Sequence, residues 1–200
     1  MTQILPLTLL DPALLAHRQF ILAYAGWGVF GVYWEKAARN VAAAKNSESR
    51  RSRAVHLFLT GVAQLLVMAP LRGLGRFVPV SPAIIGAGLA VETLGVWLAI
   101  WARRHLGRNW SGEIAIKVDH QLIQSGPYRR LRHPIYTGLL AMYAGCALAT
   151  GEWLAIIGVA LAGLAYGRKI RLEETNLRSA FGAGYEAYRR DTWALVPGIF

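Results

Sequence analysis

The stretch AIIGAGLAVETLGVWLAIW, residues 83–101, contains a single charged side chain, that of Glu92. At about 1.5 Å of rise per residue, a helix of this length crosses a bilayer hydrocarbon core of about 30 Å. The whole chain of 200 residues is 54% hydrophobic and 16% charged, whereas soluble domains average about 25% charged residues. We therefore predict an integral membrane protein built around this helix.

Four further apolar runs complete a predicted bundle of five transmembrane helices. Because only Gly151 and Glu152 separate the last two runs, we expect helices four and five to form a tight antiparallel hairpin. The predicted fold class is all-α, with residues 1–200 as one integral membrane domain. The four further runs are residues 20–34, 54–71, 135–150 and 153–167.

The distribution of charge predicts the orientation in the membrane. The chain carries 22 Lys and Arg against 11 Asp and Glu. Most of the basic residues lie in residues 35–53, 102–134 and 168–200, which follow predicted helices one, three and five. By the positive-inside rule these stretches are cytoplasmic, so the N-terminus lies outside and the C-terminus in the cytoplasm. The pattern favours anionic lipids over nucleic acid as a partner and is typical of a multi-pass protein of a bacterial inner membrane.

The segment KVDHQLIQSGPYRRLRHPIYTG, residues 117–138, concentrates polar side chains between predicted helices three and four. Pro134 suits the first turn of helix four, which places His133 at the positive end of that helix. Free backbone N–H groups there, together with Arg129, Arg130 and Arg132, indicate a site for a carboxylate or phosphate. The alternative is that these arginines contact lipid headgroups.

Two adjacent carboxylates follow predicted helix five. The hairpin should bring Glu173 and Glu174 close to His133, where they could hold a ligand ammonium or sulfonium. The alternative is ordinary salt bridging to basic neighbours. Beyond them, apolar residues at helical spacing predict a short amphipathic helix that lies on the membrane or covers the site. The basic neighbours are Lys169, Arg171 and Arg178, and the helical pattern consists of Leu177, Phe181, Tyr185 and Tyr188.

Two residues within predicted helices have other implications. Glu92 is an intramembrane acid and hence a candidate functional residue, or else it makes a polar contact with Gln64 or His56. Cys146 is the only cysteine, which excludes a disulfide framework and a thiol-based metal cluster. We predict no metal site.

Three motifs together resemble the isoprenylcysteine carboxyl methyltransferases, integral membrane enzymes that use S-adenosylmethionine. They are LGRNWS at residues 106–111, the pattern H-x-L-[VI]-x-x-G-x-Y-x-x-x-R-H-P-x-Y-x-G at residues 120–138, and E-E-x-x-L-x-x-x-F-G-x-x-Y-x-x-Y at residues 173–188. The resemblance implies a catalytic region at about residues 102–200, in which the cytoplasmic loop and the C-terminal amphipathic helix form the cofactor site.

The resemblance also implies individual roles. Glu173 would hold the methionine end of the cofactor, and Glu113 would make a polar contact with it. Lys169 stands where the family has an arginine for the substrate carboxylate, with Arg168 and Arg171 as neighbours that could substitute, but lysine lacks the bidentate fork of arginine. The remaining residues implied to line the cofactor pocket are His120, Gln121, Leu122, Ile123, Tyr128, His133, Pro134, Ile135 and Tyr136.

The expected reaction is methylation of the carboxylate of an isoprenylcysteine-like or other lipophilic acceptor, a small molecule or a prenylated chain. A carboxylate is already deprotonated at neutral pH, so no catalytic base is assigned. A phospholipid amine or a thiol is the alternative acceptor, and for an amine His133 or Glu92 would be the candidate base. A further alternative is an NADPH-dependent membrane reductase of sterol-like enones.

Overall fold

The computed structural model describes residues 12–39, 44–68, 74–79, 81–110, 115–117 and 121–198, and the structural statements below refer to these residues. Six helices and two short strands make up this part of the chain. Single 3-10 turns lie at Gly107–Asn109 and Gly126–Arg129. The helices are α1 Pro12–Ala38, α2 Arg50–Met68, α3 Pro82–Leu106, α4 Pro134–Thr150, α5 Trp153–Phe181 and α6 Ala183–Arg190, and the strands are β1 Ala44–Ser47 and β2 Ala115–Lys117.

The architecture is helical, as the apolar pattern predicts, and the described part of each predicted run lies in one of α1 to α5, with residues 69–71 of the second run outside the described residues. Two helices, Pro82–Asn109 with its 3-10 continuation and Trp153–Phe181, are long and apolar enough to cross a membrane, and Pro134–Thr150 is a shorter apolar helix. The predicted all-α class lacked one feature: β1 and β2 pair antiparallel, with Ser47 opposite Ala115. These strands are too short to show the alternating pattern that reveals a strand in sequence.

The predicted amphipathic helix is divided between two elements. Leu177 and Phe181 belong to α5, which continues well beyond its apolar part, whereas Tyr185 and Tyr188 belong to α6. Gly182 separates the two helices with φ of 50°, a left-handed value that a residue with a Cβ adopts only at a cost. The four side chains therefore keep their three- to four-residue spacing in the sequence, although the chain breaks at Gly182 between α5 and α6.

Glycines bring α3 and α4 into backbone contact. Gly88 and Gly95 on α3 face Gly145 and Gly138 on α4, with the same seven-residue spacing on both helices. A Cβ at Gly95 would lie 2.5 Å from the carbonyl oxygen of Gly138, and a Cβ at Gly138 would lie 2.6 Å from that of Gly95. Such contacts are typical of membrane helices that pack through small residues. They fix the start of α4 against the last part of α3.

The connections between the helices gather at two ends of the bundle. At the first end β1 pairs with β2, and Arg103 of α3 donates to the carbonyl oxygen of Ala37 at 2.5 Å. At the second end Arg76 donates to the carbonyl oxygen of Thr150 at 2.9 Å and lies 3.4 Å from the carboxylate of Glu152. The segments after α1 and α3 therefore share the first end, and those after α2 and α4 share the second.

Candidate functional site

A cavity of about 600 Å³ lies between α1, α2, α4 and α5 and extends to α6 at the first end of the bundle. Its size is within the range of about 300–1,000 Å³ that is usual for small-molecule sites. Nine residues implied by the resemblance line it: Gln121, Leu122, Ile123, Tyr128, His133, Ile135, Tyr136, Lys169 and Glu173.

Of the four other residues singled out for the site, the two described ones, Pro134 and Arg171, do not line the cavity. Pro134 is buried in the first turn of α4. Arg171 is exposed and is not among the residues that line the cavity, so its contact with the substrate stays a prediction. Residues two positions apart on a helix do not share a face, so Arg171 lies on the side of α5 opposite to Lys169. Glu113 and His120 lie outside the described residues.

The start of α4, which the sequence predicted as an anion site, is in contact with the C-terminal tail. The backbone N–H groups of Arg132 and His133 donate to the carbonyl oxygens of Trp193 at 2.8 Å and Ala194 at 3.0 Å. Arg129 and Arg130 are exposed on the surface. The C-terminal tail thus uses the backbone donors of the two residues that precede α4, and a long-range contact of this kind has no local sequence signal.

A network of charged groups surrounds the imidazole of His133. Its Nδ1 lies 3.5 Å from Oε2 of Glu173, and its Nε2 lies 3.4 Å from Oε1 of Glu174. Tyr136 donates its hydroxyl hydrogen to Oε1 of Glu173. Arg132 donates from Nε to Oε1 of Glu174 at 2.8 Å. The hairpin therefore brings His133 between the two adjacent carboxylates, as expected.

The two carboxylates differ in their surroundings. The side chain of Glu173 is 21% exposed and lines the cavity, whereas that of Glu174 is 9% exposed and does not. Glu174 pairs with Arg132, and also with Arg178 at 3.3 Å. Salt bridging, the alternative weighed for the pair, is thus the arrangement at Glu174, while Glu173 presents its carboxylate to the cavity.

The charges of this network shift the pKa values of His133 and Glu174. His133 precedes α4, and Glu174 lies beyond the apolar part of α5. Burial by itself would lower the pKa of His133, but its contacts with Glu173 and Glu174 outweigh burial and raise it above the ordinary value. Burial would raise the pKa of Glu174, but His133 and Arg132 lower it to about 2. Both shifts favour the charged forms, an imidazolium at His133 and a carboxylate at Glu174.

The other half of the cavity is aromatic and comes from residues outside the three motifs. Trp27, Phe30 and Trp34 of α1 line it at helical spacing, opposite Thr60 of α2 and Tyr143 of α4. The spacing of the three α1 aromatics was visible in the sequence. It did not identify them as site residues, because a buried aromatic stripe more often forms part of a core.

Glu92 lies outside the cavity lining and is 2% exposed. Neither of its carboxylate oxygens has a hydrogen-bond partner among the described residues. It packs beside Gly26 of α1. The proposed contact with Gln64 or His56 is therefore wrong in this structure, since both of those residues line the cavity and His56 packs against Tyr166 at 5.5 Å.

The fold and the site define a helical membrane protein with a cavity of two halves. The charged half contains His133, Lys169 and Glu173, and the aromatic half contains Trp27, Phe30 and Trp34. The model of the phospholipid methyltransferase family matches residues 83–184. The chain belongs to this family of membrane methyltransferases.

Two relatives and one solved structure are similar to this chain. The protein-S-isoprenylcysteine O-methyltransferase of Schizosaccharomyces pombe is 31% identical over 116 residues, which is 56% of this chain and 49% of the relative. Methanethiol S-methyltransferase 2 of Bradyrhizobium diazoefficiens is 41% identical over 75 residues, 36% of this chain and 27% of the relative. The structure of a eukaryotic intramembrane Ras methyltransferase, an isoprenylcysteine carboxyl methyltransferase, has a similar fold. Its TM-score is 0.55 at 21% identity, over 76% of this chain and 54% of that one. The matches thus span about half or less of these relatives.

Proposed function

We propose that the chain is an S-adenosylmethionine-dependent membrane methyltransferase that methylates the carboxylate of an isoprenylcysteine-like or other lipophilic acceptor. The observation that carries this proposal is that one cavity holds Glu173 and Lys169 beside an aromatic half. A polar cofactor and a lipophilic acceptor could meet there within the same cavity.

The residues of the charged half fit S-adenosylmethionine, which supplies a methyl group on a sulfonium sulfur. Tyr136 donates to Oε1 of Glu173 and His133 lies 3.5 Å from Oε2, and the carboxylate, which has about four acceptor sites, can also accept from an ammonium. Tyrosine faces such as those of Tyr128 and Tyr136 attract a cation. Glu173 would hold the ammonium, and Gln121, Leu122, Ile123 and Ile135 would line the remainder of the cofactor.

The protein's part in the reaction is to bind, orient and exclude water. Direct displacement onto a carboxylate requires no proton transfer, so alignment and desolvation provide the acceleration. Lys169 lies one helical turn before Glu173 on the same face of α5 and is buried. Its ammonium would hold the acceptor carboxylate by charge, without the fixed fork of an arginine.

Two observations favour other acceptors within the same class. The relative from Bradyrhizobium carries a name that specifies a thiol acceptor, and the family model carries a name that specifies phospholipids. A thiol or amine acceptor would have to lose a proton. The comparisons favour methyl transfer over the NADPH-dependent reductase.

We also propose that α1 to α5 all span the membrane, with the hairpin of α4 and α5 returning the chain to the cytoplasmic face. The first end, with its basic stretches, would face the cytoplasm of a bacterial cell. The N-terminus would lie outside. The grouping of the connections at two ends supports this alternation.

Methyl transfer from labelled S-adenosylmethionine tests the acceptor class. We expect Lys169→Ala to reduce turnover of N-acetyl-S-alkyl-cysteine carboxylates at least tenfold and to leave binding of S-adenosylhomocysteine nearly unchanged. Arg171→Ala, which removes an exposed cation two residues away, is the matched control and should retain activity. Equal activity of the Lys169 variant on carboxylates, or activity on alkanethiols alone, would contradict the carboxylate assignment.

A further inference from the structure

We propose that the cavity also accepts a lipophilic thiol and that His56 of α2 removes the thiol proton. This inference rests on the proposed methyltransferase function and adds a second acceptor class to it. A thiol differs from a carboxylate because it is mostly protonated at neutral pH, the pKa of a cysteine thiol being about 8.5. Since the thiolate is the nucleophile, methylation of a thiol requires a base that borders the cavity.

The two bases considered from the sequence for a proton-bearing acceptor are engaged or out of reach. His133 has a carboxylate oxygen near each ring nitrogen, that of Glu173 at 3.5 Å and that of Glu174 at 3.4 Å. Glu92 does not line the cavity. Among the described residues His56 is the other histidine that lines it, and it lies outside the three motifs.

One ring nitrogen of His56 lacks a partner. The side chain is buried at 8% exposure, and its ring forms a hydrogen bond with the backbone of Ala165 on α5. Nδ1 has no hydrogen-bond partner among the described residues. Because a bond to a backbone carbonyl oxygen requires an N–H, Nε2 carries the hydrogen of the neutral ring and Nδ1 carries the lone pair. The S–H group of a bound thiol would supply the donor that this buried acceptor lacks.

Contacts of α2 with α4 and α5 hold His56 in the cavity wall. One turn before it, Arg168 of α5 donates to the hydroxyl oxygen of Ser52 at 2.9 Å. One turn after it, the carbonyl oxygen of Thr60 accepts a hydrogen bond from a tyrosine of α4 at 3.4 Å. Between these contacts the His56 ring packs edge to face on Tyr166 at 5.5 Å, with an interplanar angle of 65°. The imidazole therefore has a fixed place.

The surroundings of His56 suit a reaction beside the charged half. Tyr166, which it contacts, stacks on Tyr136 at 5.2 Å. Lys169 lies one turn beyond Tyr166 on α5 and lines the cavity with both of them. The charged groups that act on the His56 ring are Lys169, Glu48 and Glu173. The ammonium of Lys169 would stabilise a thiolate as it forms.

In the proposed step the thiol hydrogen moves to Nδ1 of His56. The thiol sulfur uses the electron pair of its former S–H bond to form a bond to the methyl carbon. The methyl carbon separates from the sulfonium sulfur, which keeps the electron pair of the broken bond. A neutral thiol and a cation thus give two neutral thioethers and one imidazolium, and His56 gives its proton to water when the products leave.

Thiols of different acidity separate a base from a packing residue. Octanethiol is protonated at neutral pH and requires a base, whereas thiophenol ionises readily and does not. We expect the wild-type full chain in nanodiscs to transfer methyl groups from labelled S-adenosylmethionine to both. His56→Phe keeps a ring against Tyr166 and should slow transfer to octanethiol about a hundredfold. Transfer to thiophenol should fall by a much smaller factor.

Binding gives a second measurement that does not depend on turnover. With S-adenosylhomocysteine present, His56→Phe should weaken octanethiol binding about fivefold, because one hydrogen bond is lost. Binding of octyl methyl sulfide, which has no S–H group, should not change. His56→Asn retains an acceptor but not a base, so it should restore binding of octanethiol and not its turnover. His105→Phe makes the same change at an exposed histidine outside the cavity and should behave as wild type.

An equal loss of turnover on octanethiol and thiophenol in the His56 variants would overturn the proposal, as would unchanged turnover of octanethiol. Wild-type transfer to an N-acetyl-S-alkyl-cysteine carboxylate with none to octanethiol would overturn only the thiol activity. Failure of the wild-type chain to bind S-adenosylhomocysteine would overturn the proposed function itself.

Discussion

Adjacent glutamates in one turn of α5 have different parts in the site. Glu174 is enclosed by Arg132, Arg178 and His133, so its charge is already compensated within the protein. Glu173 shares His133 with it but faces the cavity. A single step along a helix turns a side chain by about 100°, which is sufficient to separate a structural carboxylate from a ligand-binding one.

Glu173→Gln should weaken binding of S-adenosylhomocysteine by roughly tenfold to a hundredfold, because a charged hydrogen bond to an ammonium contributes about 1.5–3 kcal/mol. Calorimetry in detergent measures this. Glu186→Gln makes the same change at an exposed carboxylate of α6 and should bind normally. Near-normal affinity in the Glu173 variant would contradict its assignment.

Glu174→Gln should lower thermal stability, and the loss should depend on pH. The lowered pKa of Glu174, about 2 against an ordinary value of 4.5, means that its charge stabilises the fold fully above pH 4.5 and progressively less as the pH falls towards 2. The melting temperatures of wild type and variant should therefore differ at pH 7 and converge as the pH falls towards 2. A difference that is the same at pH 7 and near pH 2 would show that the ion pairs are not its source.

The raised pKa of His133 has the opposite sign. Its protonated form stabilises the fold fully below the ordinary histidine pKa of 6.5, and this contribution is lost as the pH rises through the raised value. We expect the wild-type melting temperature to fall on the alkaline side of neutrality and His133→Gln to lack this fall. An alkaline fall of equal size in the variant would assign it to other groups.

At the scale of elements, the packing of α3 on α4 determines where the site stands. The glycines leave no room for side chains between the two helices, so the start of α4, with His133 and Tyr136, has a fixed position beside the end of α3. Gly95→Ala should destabilise the protein by about 1–3 kcal/mol, the usual cost of overpacking.

Gly86→Ala on the same helix is the matched control, because a Cβ at Gly86 meets nothing within 4 Å. It should be neutral or slightly stabilising, since alanine is the better helix former. Thermal unfolding in detergent compares the two variants. Equal stability of both would contradict the close packing of α3 and α4.

The sequence predicted the elements whose signals are local. The apolar run at residues 83–101 lies in α3, and Gly151 ends α4 where the short link predicted a turn. The contacts of Trp193 and Ala194 with the start of α4 join residues about sixty positions apart, and no local pattern predicts them. For the same reason the motifs predicted the charged half of the cavity, while Trp27 and Tyr143 became visible only when the helices were placed side by side.

At the scale of the whole molecule, the two ends of the bundle should lie on opposite sides of the membrane. A membrane-impermeant maleimide applied to intact bacterial cells should label Leu74→Cys at the second end, in a background that carries Cys146→Ala. It should not label Ala183→Cys at the first end until the cells are opened. Both positions are exposed in the structure. Labelling of Ala183→Cys from outside would reverse the orientation.

The central claim is that the charged half of the cavity binds S-adenosylmethionine. Calorimetry on the full chain in detergent, with S-adenosylhomocysteine and NADPH titrated in parallel, tests it most directly. We expect saturable binding of S-adenosylhomocysteine that Glu173→Gln weakens, and no binding of NADPH. Saturable binding of NADPH with none of S-adenosylhomocysteine would contradict the claim.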